Sequence, residues 1–293
     1  MHPIAPGAEE YVYLEPHPFL FQFPEGTPLI DGIRFYGLAY LIGFVIAWFL
    51  LRYLYRAGVS PLDDNKRSDF LLYLIVGVMA GGRLGYMLLY NFGDLMSDPL
   101  SVFRVWEGGM ASHGGFVGVM LGALIFAKQQ RVSFLRLTDL CVLVATPGIF
   151  LGRIANFLNG ELWGDPSWVP WAIVFSESTP SYLNNLGGYF LVPRHPSQLY
   201  AAGLEGCVVG VWLWWRFFSR LKLLRAGELK GLLASEFLIV YGLCRILGEQ
   251  FRAPDASLIE LMSVELSRGT FYSLLMLGLG IALRISVKRQ KAT

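Results

Sequence analysis

Gly152-Arg153-Ile154-Ala155-Asn156-Phe157-Leu158-Asn159-Gly160-Glu161-Leu162-Trp163-Gly164 ends a long apolar run with an arginine, two asparagines and a glutamate. The run that leads into it, roughly 138–158, has the length of a membrane-spanning helix, which takes about 20 mostly apolar residues. An ionisable group in hydrocarbon costs roughly 3 kcal/mol even on insertion-based scales, so several gathered at one end imply a use. Similar groups recur at Arg83, His113, Arg245 and Glu249, each within or at the end of another apolar run.

The rest of the chain repeats the pattern. Seven windows have spanning length, at roughly 35–55, 70–90, 111–129, 138–158, 198–219, 231–250 and 270–287. Of the 293 residues, 54% are hydrophobic and only 16% charged, against about 25% charged in soluble domains. The mean hydropathy is +0.48. The fold expected is all-α: a polytopic membrane protein of seven transmembrane helices with a small extracytoplasmic cap. A net charge of +2, with no basic patch interleaved with aromatics, argues against nucleic acid as a partner.

The loops set the orientation. Lys and Arg gather in alternate connections: Arg52, Arg56, Lys66 and Arg67; Lys128, Arg131 and Arg136; Arg216, Arg220, Lys222, Arg225 and Lys230; Arg284, Lys288, Arg289 and Lys291. Together these hold 16 of the 24 basic residues. By the positive-inside rule the N-terminus faces out and the C-terminus faces the cytoplasm. The first 34 residues are acidic and broken by prolines, which is unlike a cleavable signal peptide, so the first span is expected to act as an uncleaved anchor. Cys141, Cys207 and Cys244 fall inside apolar runs and read as small buried side chains, without metal-ligand or disulfide spacing.

A single membrane-embedded domain over 1–293 follows, with residues 1–34 as an extracytoplasmic arm and 161–197 as the one long connection. That loop carries Trp163, Trp168, Trp171, Tyr182 and Tyr189, rings suited to the headgroup region. Loops of that length are usually functional.

On this topology the polar groups other than Arg83 and Glu205 meet at the outer mouth. His113 sits among Gly108, Gly109, Gly114 and Gly115; it is either a proton acceptor near neutral pH or a hydrogen-bonded interfacial histidine. Helical spacing puts Arg153 and Asn156 on one face, where an Arg–Asn pair suits a phosphate oxygen and Glu161 could orient the arginine or receive a proton. A salt bridge between spans is the alternative. Arg245 and Glu249 are four apart and Arg252 is a turn further on, an arrangement an ion pair also explains. His195, in Arg194-His195-Pro196-Ser197-Gln198-Leu199-Tyr200, reads as a helix-cap partner ahead of an acid–base group. Arg83 reads as structural or lipid-anchoring, Glu205 as internally paired, and Tyr36 as an interfacial anchor. Several arginines and a histidine facing outward suit an anionic lipid headgroup.

Taken together, His113-Gly114-Gly115, Gly152 through Gly164, Arg194 through Tyr200 and Arg245 through Asp255 resemble bacterial prolipoprotein diacylglyceryl transferases, from about Tyr36 to the C-terminus. The resemblance implies a seven-span inner-membrane enzyme that moves diacylglycerol from phosphatidylglycerol to the lipobox cysteine of a preprolipoprotein. A thioether forms and glycerol-1-phosphate leaves, with neither metal nor nucleotide as cofactor. It implies that Arg153 and Arg245 hold the phosphate, that His113 takes the thiol proton, and that Glu161 belongs to the catalytic set. Tyr36, Arg83, Gly114, Asn156, Asn159, Gly164, His195, Tyr241, Glu249 and Arg252 would line or support the substrate site, with Glu249 orienting Arg245. Two departures stand out: Ala111-Ser112 where Ser-Phe is common before the His-Gly-Gly, and Ala201 where Glu is common, with Glu205 nearby. An anion transporter would instead place ionisable groups near mid-membrane, open to both faces. An intramembrane protease would carry Gly-x-Ser-x-Gly, His-Glu-x-x-His or paired intramembrane aspartates, none of which is present in the sequence.

Overall fold

The computed structural model describes residues 2–24, 32–104, 108–183, 186–253, 259–261 and 264–290. Pro254 and Asp255, the end of the Arg245-to-Asp255 run, lie outside these, as do residues 25–31 of the N-terminal arm. The chain is mostly helical: α1 (Phe35–Arg56), α2 (Asp64–Leu89), α3 (Phe92–Ser97), α4 (Ser112–Gln130), α5 (Phe134–Leu158), α6 (Ser197–Ala201), α7 (Val209–Ser219), α8 (Leu221–Ala226), α9 (Leu232–Glu249) and α10 (Arg268–Gln290). A π-helical turn, Ala202–Val208, joins α6 to α7.

Helices thus lie in each apolar window. Among the described residues α1, α2, α5 and α10 are long and apolar enough to cross a membrane. The others fall short for visible reasons. α9 places Glu236, Arg245 and Glu249 within 18 residues, α6 and α7 are divided by the π turn, and α4 opens on Ser-His-Gly-Gly. Large apolar side chains stay exposed around the bundle, Leu41, Phe49, Leu72, Val211 and Leu279 among them; helices with apolar outer faces suit a lipid environment. The cysteines only partly match the buried reading: Cys244 is buried and Cys141 half-buried, but Cys207 is exposed. It stands beside exposed Val208 and Val211, so its face of the π turn meets the surroundings instead of a neighbouring helix.

Backbone contact sets the helix pairs. Gly77, Gly81 and Gly85 of α2 face Gly114 and Gly118 of α4, Gly122 lies against the backbone of Tyr73, and a Cβ on Gly118 would overlap the carbonyl of Gly77. With lipid as apolar as leucine, such close packing of small residues is what holds helices together. Gly280 of α10 lies against Ser235 and Leu238 of α9 in the same manner. Polar side chains supply the remaining ties. Asp139 of α5 accepts from the backbone N–H groups of Gly231 and Ala234 at 2.7 and 2.8 Å, capping α9 from another helix. Arg216 of α7 donates twice to Glu236 of α9, both at 2.7 Å, with Arg284 of α10 at 3.5 Å.

Around the far end of α5, the N-terminal arm and the 161–196 connection pack together. Val12–Leu14 pairs in parallel with Ile173–Phe175, and Ser181–Leu183 with Gly188–Phe190 forms a hairpin. Ala5, Ala8, Val174, Leu191 and Val192 form a small separate core there. The His17 N–H donates to the carbonyl of Leu158 at 2.9 Å, so the arm, for which the sequence showed no motif, lies against the turn that ends α5.

Candidate functional site

Two polar clusters form where α5 ends. In the first, Arg153 donates from Nε and Nη2 to Oε2 of Glu205, at 3.2 and 2.8 Å. Tyr241 donates to the same oxygen at 2.8 Å. Arg245 reaches Oε1 of Glu205 at 3.6 Å and Oε2 of Glu249 at 2.8 Å. Ser267 donates to the other oxygen of Glu249 at 2.8 Å. Glu205 has no exposed surface, and a carboxylate buried to that degree persists only when paired.

In the second cluster the hydroxyl of Tyr36 donates to Oε1 of Glu161 and accepts from Asn156. Asn156 and Asn159 also donate to Oε1 of Glu161, at 3.2 and 3.3 Å. Arg153 and Asn156 therefore share a helix yet take partners on different elements, α5 to the π turn and α5 to α1. Glu161 goes to Tyr36 and the asparagines and not to Arg153, whose partner is Glu205. The geometry that makes Glu161 available is a tight backbone turn: Gly160 has φ +63° and Leu162, unusually for a residue with a side chain, φ +58°. Such a conformation is uphill for leucine and persists where its surroundings hold it.

Those surroundings are the Arg194–Gln198 segment. Ser197 donates to the carbonyl of Leu162 at 2.7 Å and Gln198 to that of Glu161 at 2.6 Å. Arg194 donates to the carbonyls of Gly164 at 3.1 Å and Thr179 at 2.5 Å. Arg194, Ser197 and Gln198 are all buried, and burial pulls the Arg194 guanidinium below its ordinary value, with Asp165 opposing. Gly164 has no room for a side chain, since a Cβ would sit 2.7 Å from that of His195. The motif is thus the scaffold of the Asn159–Gly164 turn. His195 differs from its helix-cap reading: no side chain caps α6, and its Nδ1 lies 3.1 Å from the hydroxyl of Tyr200, which also accepts from Trp171 at 2.6 Å.

His113 and Arg83 stand apart from both clusters. His113, exposed at the start of α4, packs at a tilt against Tyr272 of α10, with ring centres 5.1 Å apart and ring planes 56° apart. The first turn of α10 links it to the first cluster, because Gly269 there lies directly against the Glu249 carboxylate. Gly114 packs in the α2–α4 seam, with no space for a Cβ. Arg83 is buried and donates to the carbonyls of Ser101 at 2.6 Å, Val102 at 3.2 Å, Gly109 at 3.4 Å and also Gly108. It ties the 99–109 connection to α2. The backbone of Arg252 pairs with that of Gly164, joining the end of α9 to the turn.

Sequence reasoning passed over Glu205 as a site residue and missed Ser267 altogether. For Glu205 a signal existed, a lone carboxylate in an apolar window, which must find a cation or a proton. Ser267 had none. Chemically, two guanidinium groups that share one carboxylate are close enough to share one phosphate. Each has five N–H donors in a fixed fork, and charge developing on an anion between them would meet donors already in place.

The comparisons with known proteins agree in direction. The family model described as prolipoprotein diacylglyceryl transferase matches residues 27–286. Over 286 residues the chain is 42% identical to the phosphatidylglycerol–prolipoprotein diacylglyceryl transferase of Rhodopseudomonas palustris, covering 93% of each. It is 40% identical to the protein of that name from Rhodospirillum rubrum over 284 residues, covering 93% of this chain and 96% of the other. The Geobacter sulfurreducens protein of that name is 40% identical over 276 residues, covering 92% and 98%.

Proposed function

We infer the function from the premise that this chain belongs to the prolipoprotein diacylglyceryl transferase family, as the match over residues 27–286 shows. It is a membrane transferase that moves the diacylglyceryl group of phosphatidylglycerol to the cysteine thiol of a preprolipoprotein lipobox, the first step of lipoprotein maturation. Sulfur bonds to the glyceryl carbon, the bond from that carbon to the phosphate oxygen breaks, and the electron pair leaves with glycerol-1-phosphate. The thiol proton must go to a base.

The observation that carries the assignment of roles is the convergence of Arg153 and Arg245 on Glu205. A phosphodiester carries one negative charge and the departing phosphate two, so the arginines bind the leaving group more strongly than the substrate. Only such a difference accelerates the reaction. His113, exposed and next to Tyr272, takes the thiol proton; an ordinary thiol has a pKa of about 8.5 and is mostly unreactive at neutral pH. Tyr36, Asn156, Asn159, Glu161 and Tyr241 line the headgroup pocket, and Glu249 orients Arg245. Gly114, Gly164, His195, Arg252 and Arg83 support the walls.

The same reading places seven spans in the bacterial inner membrane, with the N-terminus outside, the C-terminus inside, and the 1–34 and 161–197 segments as an extracytoplasmic cap over one membrane-embedded domain. The basic residues of alternate loops support that orientation. Transfer of labelled diacylglycerol to a lipobox peptide tests the site. Arg153→Ala, Arg245→Ala and His113→Ala, each inserted normally, are expected to lose it, and full activity in all three would overturn the roles.

A further inference from the structure

We propose that Glu205 is the positioning residue of the transfer reaction: it sets the spacing and orientation of Arg153 and Arg245 as a pair. The inference rests on the function given above and adds a residue to it. Four observations carry it. Glu205 is completely buried. Its two oxygens face different arginines, Oε2 toward Arg153 at 2.8 Å and Oε1 toward Arg245 at 3.6 Å. Tyr241 steadies the carboxylate from α9. Glu205 also lies in the π-helical turn Ala202–Val208, and π turns inside α-helices are rare and frequent at functional sites.

The π turn explains the placement. Gly206 follows Glu205 and lies against the backbone of Phe150, where a Cβ would come within 2.7 Å of the Phe150 Cβ. That contact brings the widened turn onto α5 one helical turn before Arg153, within reach of the Nε and Nη2 donors of its guanidinium. Arg245 comes from α9 and is held tightly by Glu249 and more loosely by Glu205. One carboxylate therefore registers two helices against each other at the phosphate position. Without it, each arginine would follow its own helix, and a shift on the order of 1 Å at a reacting site can cost about 100-fold in rate.

The test uses the full-length protein in detergent or proteoliposomes, with kcat and KM for phosphatidylglycerol measured at saturating lipobox peptide. Glu205→Gln keeps shape and removes charge; kcat is expected to fall about 30-fold or more while KM shifts less than about threefold. The reading that a merely structural residue would not reproduce is the cycle with Arg153→Lys. If Glu205 acts through Arg153, Glu205→Gln added to Arg153→Lys costs about threefold or less further, and couples less to Arg245→Lys. Additive losses in both cycles, or a folded Glu205→Gln enzyme within about threefold of wild type, overturn the proposal. Should Glu205→Gln fail to fold, Glu205→Asp decides: it keeps the charge but shortens the reach, and wild-type kcat in that variant overturns the proposal. Wild-type protein without transfer activity would refute the underlying function, whereas active wild type with an indifferent Glu205 refutes only the positioning role.

Discussion

Lysine at position 153 would preserve a positive charge and lose the fork. Arg153 spends Nε and Nη2 on Glu205 and keeps its remaining donors in a fixed plane, which an ammonium on a flexible stem cannot imitate. Arg153→Lys is therefore expected to lower kcat/KM about 100-fold or more, in line with losing a preorganised donor to developing charge. Parity with wild type in steady-state transfer assays would mean that charge alone suffices. Residue types and spacing in the sequence were enough to single out Arg153, Asn156, Glu161, Arg245 and Glu249. Spacing also paired Arg245 with Glu249, four residues on, but it could not pair Arg153: Arg153 and Glu205 are 52 residues apart, and no local pattern links a position on α5 to one in the π turn.

At the scale of elements, small residues decide which helices touch. Gly77, Gly81 and Gly85 meet Gly114 and Gly118 backbone to backbone, with Gly122 against the Tyr73 carbonyl, and this seam carries His113 at its end. Gly118→Ala would press a methyl group into the Gly77 carbonyl, and overpacking of that kind costs about 1–3 kcal/mol. A lower Tm in detergent with reduced transfer is expected; an unchanged Tm would show that the seam yields freely. The glycines around His113 suggested close approach in the sequence, and the partner helix emerged only from packing. The Arg194–Gln198 motif shows the same division. Its residues were legible as special, but their work is to hold the turn at Leu162, whose positive φ no composition reveals.

For the molecule as a whole, the distribution of lysine and arginine leads to a measurable orientation. Tyr182 is exposed in the 161–197 segment and Lys222 is exposed in α8. With Cys141, Cys207 and Cys244 replaced by alanine, Tyr182→Cys is expected to react with a membrane-impermeant maleimide on intact spheroplasts. Lys222→Cys should react only after permeabilisation. Labelling of Lys222→Cys alone in intact cells would invert the topology. Structural packing also gives the N-terminal arm a place, since it pairs with Ile173–Phe175 and reaches Leu158.

The sequence by itself determined the membrane class, the apolar windows and the polar ends of the helices. These follow from the free energy of moving residues out of water, which sums locally along a chain. Tertiary structure alone decided that Glu205, and not Glu161, partners Arg153, that Tyr36 meets Asn156 and Glu161, and that Arg83 of α2 holds the carbonyls of Ser101, Val102 and Gly109 in the following connection. Electrostatic pairing depends on distances between helices, and those are set by glycine contacts and one π turn whose geometry emerges only when the whole bundle packs.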